Sequence, residues 1–123
     1  MIVRKMADHH VVLTPTCGEI REVIRAGELQ NFDLAVAIDI RPTTAHFHSK
    51  TTEIYFVLDG KMTLETYDPA TRARSTNTLE SNELAVITPG VHHKISFASP
   101  TNRLCVISSP AWRAEDEHLS KIL

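Results

Sequence analysis

Short β-prone runs recur roughly every eight to twelve residues along this chain, each closed by a turn signal, and that rhythm leaves little room for anything but antiparallel sheet. Glu19–Arg25 alternates, and Asp33–Ile40 alternates more cleanly, with Leu34, Val36, Ile38 and Ile40 opposing Asp33, Ala35, Ala37 and Asp39. Glu53–Leu58 is nearly all apolar, β-branched or aromatic, which reads as a strand covered on both faces. Asp59-Gly60 is a hairpin turn signal, and Lys61–Tyr67 returns. Asp68-Pro69 breaks the pairing before Arg72–Leu79. Ser81-Asn82, Pro89-Gly90 and Pro100 then separate Leu84–Ile87, His93–Ala98 and Arg103–Ser108. The pattern predicts an all-β sandwich or closed barrel.

Only the tail argues for helix. Pro110 stands near its start, Glu115, Asp116 and Glu117 fill the early turns, and Trp112 and Leu119 offer apolar anchors. Residues 110–123 are therefore expected to form a short C-terminal helix, after a barrel over 19–109. Residues 1–18 are expected to be an arm or edge strand, which pairing with a second copy of the chain would cover.

At 123 residues there is enough chain for one core and too little for two. The formal charge of −2 excludes a broad cationic surface, so no nucleic-acid or anionic-lipid partner is expected. No apolar run approaches the roughly 18 residues of a membrane span. Arg4 and Lys5 are followed by no apolar segment, so a cytoplasmic location is expected, with Cys17 and Cys105 as two reduced thiols. The seven histidines are the unusual count, because six form close pairs: His9/His10, His46/His48 and His92/His93.

Side chains alternate along a strand, so His46 and His48 share a face with Phe47 turned away. Ser49–Thr52 is a polar turn that delivers Glu53 to the next strand. If both strands line one cavity, two imidazoles and a carboxylate converge as a first-row divalent metal requires. Pro89-Gly90-Val91-His92-His93 offers a fourth donor just after a turn. His9, His10 and His118 have no partner at a useful interval and read as surface residues.

These residues resemble the cupin family. Its first motif runs Gly, five residues, His-x-His, three or four residues, Glu, six residues, Gly. Here His46-x-His48, four residues to Glu53 and six more to Gly60 match it, with Ile40 in place of the leading Gly. The second motif, Gly, five residues, Pro-x-Gly, two residues, His, three residues, Asn, is met by Gly90 and His93. Asn82, Thr88 and Phe97 depart from it, all in turns or flanks. The resemblance implies a jelly-roll β-barrel, often a homodimer, that binds one metal through His46, His48, Glu53 and His93. The spacing selects His93 over His92, which then points the other way toward solvent.

Three imidazoles and a carboxylate, with no thiolate, disfavour copper(I) and a closed thiolate zinc site. They do not separate Fe, Mn, Ni, Co and Zn. An octahedral ion with four protein ligands keeps two open positions for water, dioxygen or a bidentate small molecule. Parity from Glu53 and His93 turns Tyr55, Val57, Met62, Leu64, Thr66, Ile95 and Phe97 inward. The lining is then mostly apolar, with Tyr55 and Thr66 as polar handles. No second carboxylate is singled out for acid–base work, and Cys105 reads as packing. The expected function is a metal-dependent enzyme on a small molecule, oxygenase-like ahead of isomerase or lyase. The alternative is a non-catalytic ligand-binding or sensing module. A metal-free scaffold would leave all four donors idle.

Overall fold

The computed structural model describes residues 1–9, 11–14 and 18–123, so the expectations for His10 and Cys17 lie outside the described residues. Among the described residues, eleven strands follow in order: β1 Val11–Thr14, β2 Gly18–Ile24, β3 Asp33–Ile38, β4 His46–His48, β5 Thr52–Asp59, β6 Lys61–Asp68, β7 Ala73–Glu80, β8 Leu84–Ile87, β9 His92–Ala98, β10 Arg103–Ser109 and β11 Glu117–Leu119. They form two antiparallel sheets, β1-β2-β3-β10-β5-β8 and β11-β4-β9-β6-β7. Among the described residues, no helix is long and apolar enough to cross a membrane.

Period-two patterning decides which residues meet between the sheets. Ala37, Tyr55, Val57 and Leu104 come from the first sheet, and Met62, Leu64, Leu79 and Ile95 from the second. β7 closes the second sheet as a polar edge strand that buries only Leu79, which protects it against further strand pairing. β1 lies at the edge of the first sheet, paired with β2 of the same chain from Val11↔Arg21 to Thr14↔Gly18.

The tail corrects the helical expectation. Ala114–Asp116 is a single 3-10 turn, and Glu117–Leu119 then pairs with β4 through Glu117↔His48, His118↔Phe47 and Leu119↔His46. Without β11, the short β4 would have one edge with unsatisfied backbone groups. Long-range pairing outweighs the local helical preference of the acidic triplet.

The departures from the cupin pattern have local explanations. Asn82 takes φ +70, the left-handed conformation that asparagine tolerates best after glycine. At the leading glycine position Ile40 is buried in the core, and the positive φ of +50 falls one residue earlier, on Asp39. The fully buried Asn102 secures this bend by accepting from Ile40 N at 3.0 Å and donating to Ile40 O at 3.0 Å. Gly60, with φ +87, is irreplaceable: a Cβ there would stand 2.6 Å from both Ser99 Oγ and Thr101 O.

Candidate metal centre

The two sheets bring the four donors together. β4 carries His46 and His48 on one face, and His46 pairs directly with His93 on β9. Glu53, at the start of β5 in the other sheet, faces them. Glu53 Oε1 lies 3.0 Å from His48 Nε2, 3.0 Å from His93 Nε2 and 3.9 Å from His46 Nε2. One ligand atom from each of the four falls within 4.8 Å of every other, and all four side chains are buried. An octahedral ion with bonds of about 2.1 Å separates neighbouring ligand atoms by about 3.0 Å, so the short edges already fit.

Backbone carbonyls orient the rings. His46 Nδ1 faces Thr44 O at 2.9 Å, His48 Nδ1 faces Asp116 O at 3.2 Å, and His93 Nδ1 faces Val91 O at 3.0 Å. A carbonyl oxygen only accepts, so each Nδ1 carries a proton and each Nε2 faces the centre, His93 Nε2 within hydrogen-bond distance of Glu53 Oε1 at 3.0 Å. Among the described residues, His46 Nε2 is buried without a hydrogen-bond partner. Ring nitrogens packed around a buried carboxylate call for a cation between them and it, a proton or a metal, and a divalent metal is the one that takes all four donors at once.

The charges agree. Burial alone would raise the Glu53 carboxyl, but His48 and His93 hold it well below the usual carboxylate range. Burial would lower His48, yet contact with Glu53 leaves it raised. Burial, then His93, depress His46 and favour its neutral form. The four side chains thus form a single site for one divalent transition metal.

The spacing between His48 and Glu53 is held by a residue that the sequence pattern did not single out. Asp116 accepts at Oδ1 from Ser49 N (3.0 Å) and Lys50 N (3.2 Å), and at Oδ2 from Lys50 N (3.1 Å) and Thr51 N (3.1 Å). Its carboxyl would be raised by burial, but these N–H groups hold it below its ordinary value. The 49–51 turn is therefore fastened to the tail, whose backbone also orients His48. His92 corrects the solvated expectation: it is buried, stacks on Phe47 at 4.3 Å, and its Nδ1 lies 2.7 Å from Ser120 Oγ. The tail supplies that cover. His118 also meets the Phe47 ring, tilted at 33° with the ring centres 5.0 Å apart.

A cavity of about 490 Å³ opens beside the centre, with Glu53 in its wall. Its other walls include Ile20, Val106, Ser108, Asp33, Trp112 and Glu117. The last three carry signals that only the fold reveals. Asp33 Oδ2 accepts from Trp112 N at 2.9 Å, and Glu117 Oε1 accepts from Trp112 Nε1 at 3.2 Å. Glu117 Oε1 also stands 3.9 Å from His46 Nε2. Burial, more than Glu53 and Glu22, pushes the Asp33 carboxyl up against the Trp112 N–H and the Ser108 hydroxyl.

The residues expected to line the pocket by parity take other places. Tyr55, Val57, Met62, Leu64 and Ile95 do turn inward, but they pack into the core. Thr66 pairs with His93, and its hydroxyl lies 2.7 Å from Ser75 Oγ. Phe97 is a correction: it is 50% exposed. β6 pairs Leu64 with Ile95 but Thr63 with Phe97, so Ser96 is an extra residue and the alternation flips beyond it. Cys105 is half-buried on the outward side of β10, between Val36 and Phe56, and burial raises its thiol.

No protein-family model matches the chain, and no curated protein sequence matches it. Solved structures do. A protein from Planctomyces limnophilus superposes with a TM-score of 0.80 at 21% identity, covering 97% of this chain and 96% of that one. Pac13, described as a unique nucleoside dehydratase, gives 0.77 at 11% identity over 98% and 91%; a Streptomyces Pac13 variant with uridine gives 0.75. Bacillus subtilis oxalate decarboxylase gives 0.76 at 16% identity over 93% of this chain, which spans only 30% of that one. The chain shares the fold of these structures, and within it His46, His48, Glu53 and His93 come together as the three-histidine, one-glutamate metal site that the cupin resemblance implies.

Proposed function

We propose that this protein is a metal-dependent enzyme acting on a small molecule held between the four-donor centre and the adjoining cavity. The observation that carries the proposal is that Glu53 belongs to both: it is one of the four donors and it lines the cavity. An ion at this centre supplies a Lewis acid with positions left for a ligand. The chain does the rest. Carbonyl-fixed imidazoles hold the geometry without rearrangement, and Ile20 and Val106 give the ligand an apolar wall. A volume of about 490 Å³ suits a molecule of sugar or nucleoside size better than a two-carbon diacid.

Lyase-type cleavage is favoured over the oxygenase expectation. Two of the similar structures are described as a dehydratase and a decarboxylase, names that denote release of a small molecule from the substrate. The test is to load the chain anaerobically with Mn(II), Fe(II), Co(II), Ni(II) or Zn(II) and offer nucleosides, sugars and hydroxy acids. Loss of water or carbon dioxide by mass spectrometry, without oxygen uptake, supports the lyase. Oxygen uptake coupled to conversion supports the oxygenase. Tight binding without conversion supports a sensing module, and no turnover with any metal counts against an enzyme.

A homodimer is part of the same proposal. The outward face of the first sheet presents Ile54, Phe56, Leu84 and Val86, of which Leu84 is 52% and Val86 56% exposed. A second copy of the chain would cover this apolar face. Light scattering should give twice the chain mass, and Val86→Lys should shift it to the monomer.

A further inference from the structure

Trp112 ties two carboxylates to the cavity at once, the backbone N–H holding Asp33 at 2.9 Å and the indole N–H holding Glu117 at 3.2 Å. These two acids come from opposite sheets. Asp33 begins β3, and Glu117 begins β11, where its pairing with His48 turns it toward the centre. Glu117 also joins the wall to the metal centre. His46 is fully buried, and its Nε2, which has no hydrogen-bond partner, stands 3.9 Å from Glu117 Oε1.

The charges around the cavity are lopsided. Among the described residues, Glu22, Asp33, Glu53 and Glu117 line it against Arg25 alone, and Arg25 lies 3.4 Å from Glu22. Arg25 and Glu22 offset each other. A divalent ion offset by Glu53 keeps one positive charge, which faces the two charges of Asp33 and Glu117. A dianion entering this space meets a net negative wall. A molecule with hydroxyl or amino hydrogens meets an electrophile on one side and two anchored acceptors on the other.

We propose that Asp33 and Glu117, fastened by Trp112, form the ligand-recognising wall of the metal cavity and select neutral or cationic molecules bearing hydroxyl or amino groups over dianions. This rests on the metal-centre reading above and narrows its substrate class. Both acids are ligand-binding residues here. Neither is assigned a proton-transfer step.

The test uses the full chain loaded with Mn(II), with uridine and oxalate as probes. Trp112 is the sole tryptophan, so its emission reports occupancy of the wall. Wild type should bind uridine at least about tenfold more tightly than oxalate. Asp33→Asn and Glu117→Gln keep an oxygen for Trp112 but remove the charge. Each should raise oxalate affinity about tenfold and weaken uridine, with manganese still at one ion per chain and the thermal midpoint unchanged. Affinities that stay within about twofold for both probes would overturn the proposal. So would loss of manganese in Glu117→Gln, which would make Glu117 a metal ligand instead. If wild type takes up no ion, the metal-centre reading fails, and the wall is judged on the metal-free chain. There the same two substitutions must still shift preference toward oxalate, and an unshifted preference overturns it.

Discussion

Asp116 gives the sharpest test of how the tail builds the centre. Its two oxygens accept from three successive backbone N–H groups, of Ser49, Lys50 and Thr51. Ser49 and Lys50 are exposed and would turn to water in its absence, but Thr51 is buried. In Asp116→Ala the stranded Thr51 N–H costs about 1–3 kcal/mol, and exchanging the other charge-assisted bonds for water adds about 1 kcal/mol. A total near 3 kcal/mol lowers the melting temperature by roughly 10 °C for a chain of this size. Asp116→Asn keeps one acceptor, which will face Thr51, and puts an NH₂ where Ser49 N needs an oxygen. Its cost should be about 1–2 kcal/mol.

The pH dependence follows from the lowered Asp116 carboxyl. Its folded value lies below its unfolded value of about 3.9, so its stabilisation is fully present above that pH and is lost as pH falls through the folded value. The gap between wild type and Asp116→Asn should therefore be constant near neutrality and close in acid. Because the turn sets the distance from His48 to Glu53, Zn(II) affinity by calorimetric titration should also fall about 10- to 100-fold. Equal unfolding midpoints for wild type and Asp116→Ala, together with equal zinc affinity, would refute the reasoning.

Other substitutions probe separate parts of the structure. Glu53→Gln removes the only carboxylate among the four donors, and metal retained after dialysis should drop below a tenth of the wild-type content; full retention would place the ion elsewhere. Gly60→Ala forces a Cβ against Ser99 Oγ and Thr101 O at φ +87, and urea unfolding should show a loss of about 2 kcal/mol or more. Ile95→Ala should cost about 2–5 kcal/mol and Phe97→Ala less than about 1 kcal/mol, because the Ser96 bulge sends only Phe97 into solvent. Equal losses for that pair would argue against the bulge.

The all-β class and the four donors were legible in the residues because both depend on short-range regularities. Alternation places His46 and His48 on one face whatever the rest of the fold does, and the turn signals at Asp59-Gly60 and Pro89-Gly90 mark where strands end. What lay beyond one strand and its turn was not legible. Parity propagates along a strand only until a bulge, and a single extra residue at Ser96 reversed it for Phe97. The acidic triplet at 115–117 has the local composition of a helix start, yet it serves a turn and a strand because β4 offers an open edge and the 49–51 amides need an acceptor. The cavity wall is the plainest case. Asp33, Trp112 and Glu117 are up to 84 residues apart in sequence, and no spacing rule links them. Donor identity is a property of the chain itself, whereas the space a ligand occupies exists only once two sheets and a tail have closed around it.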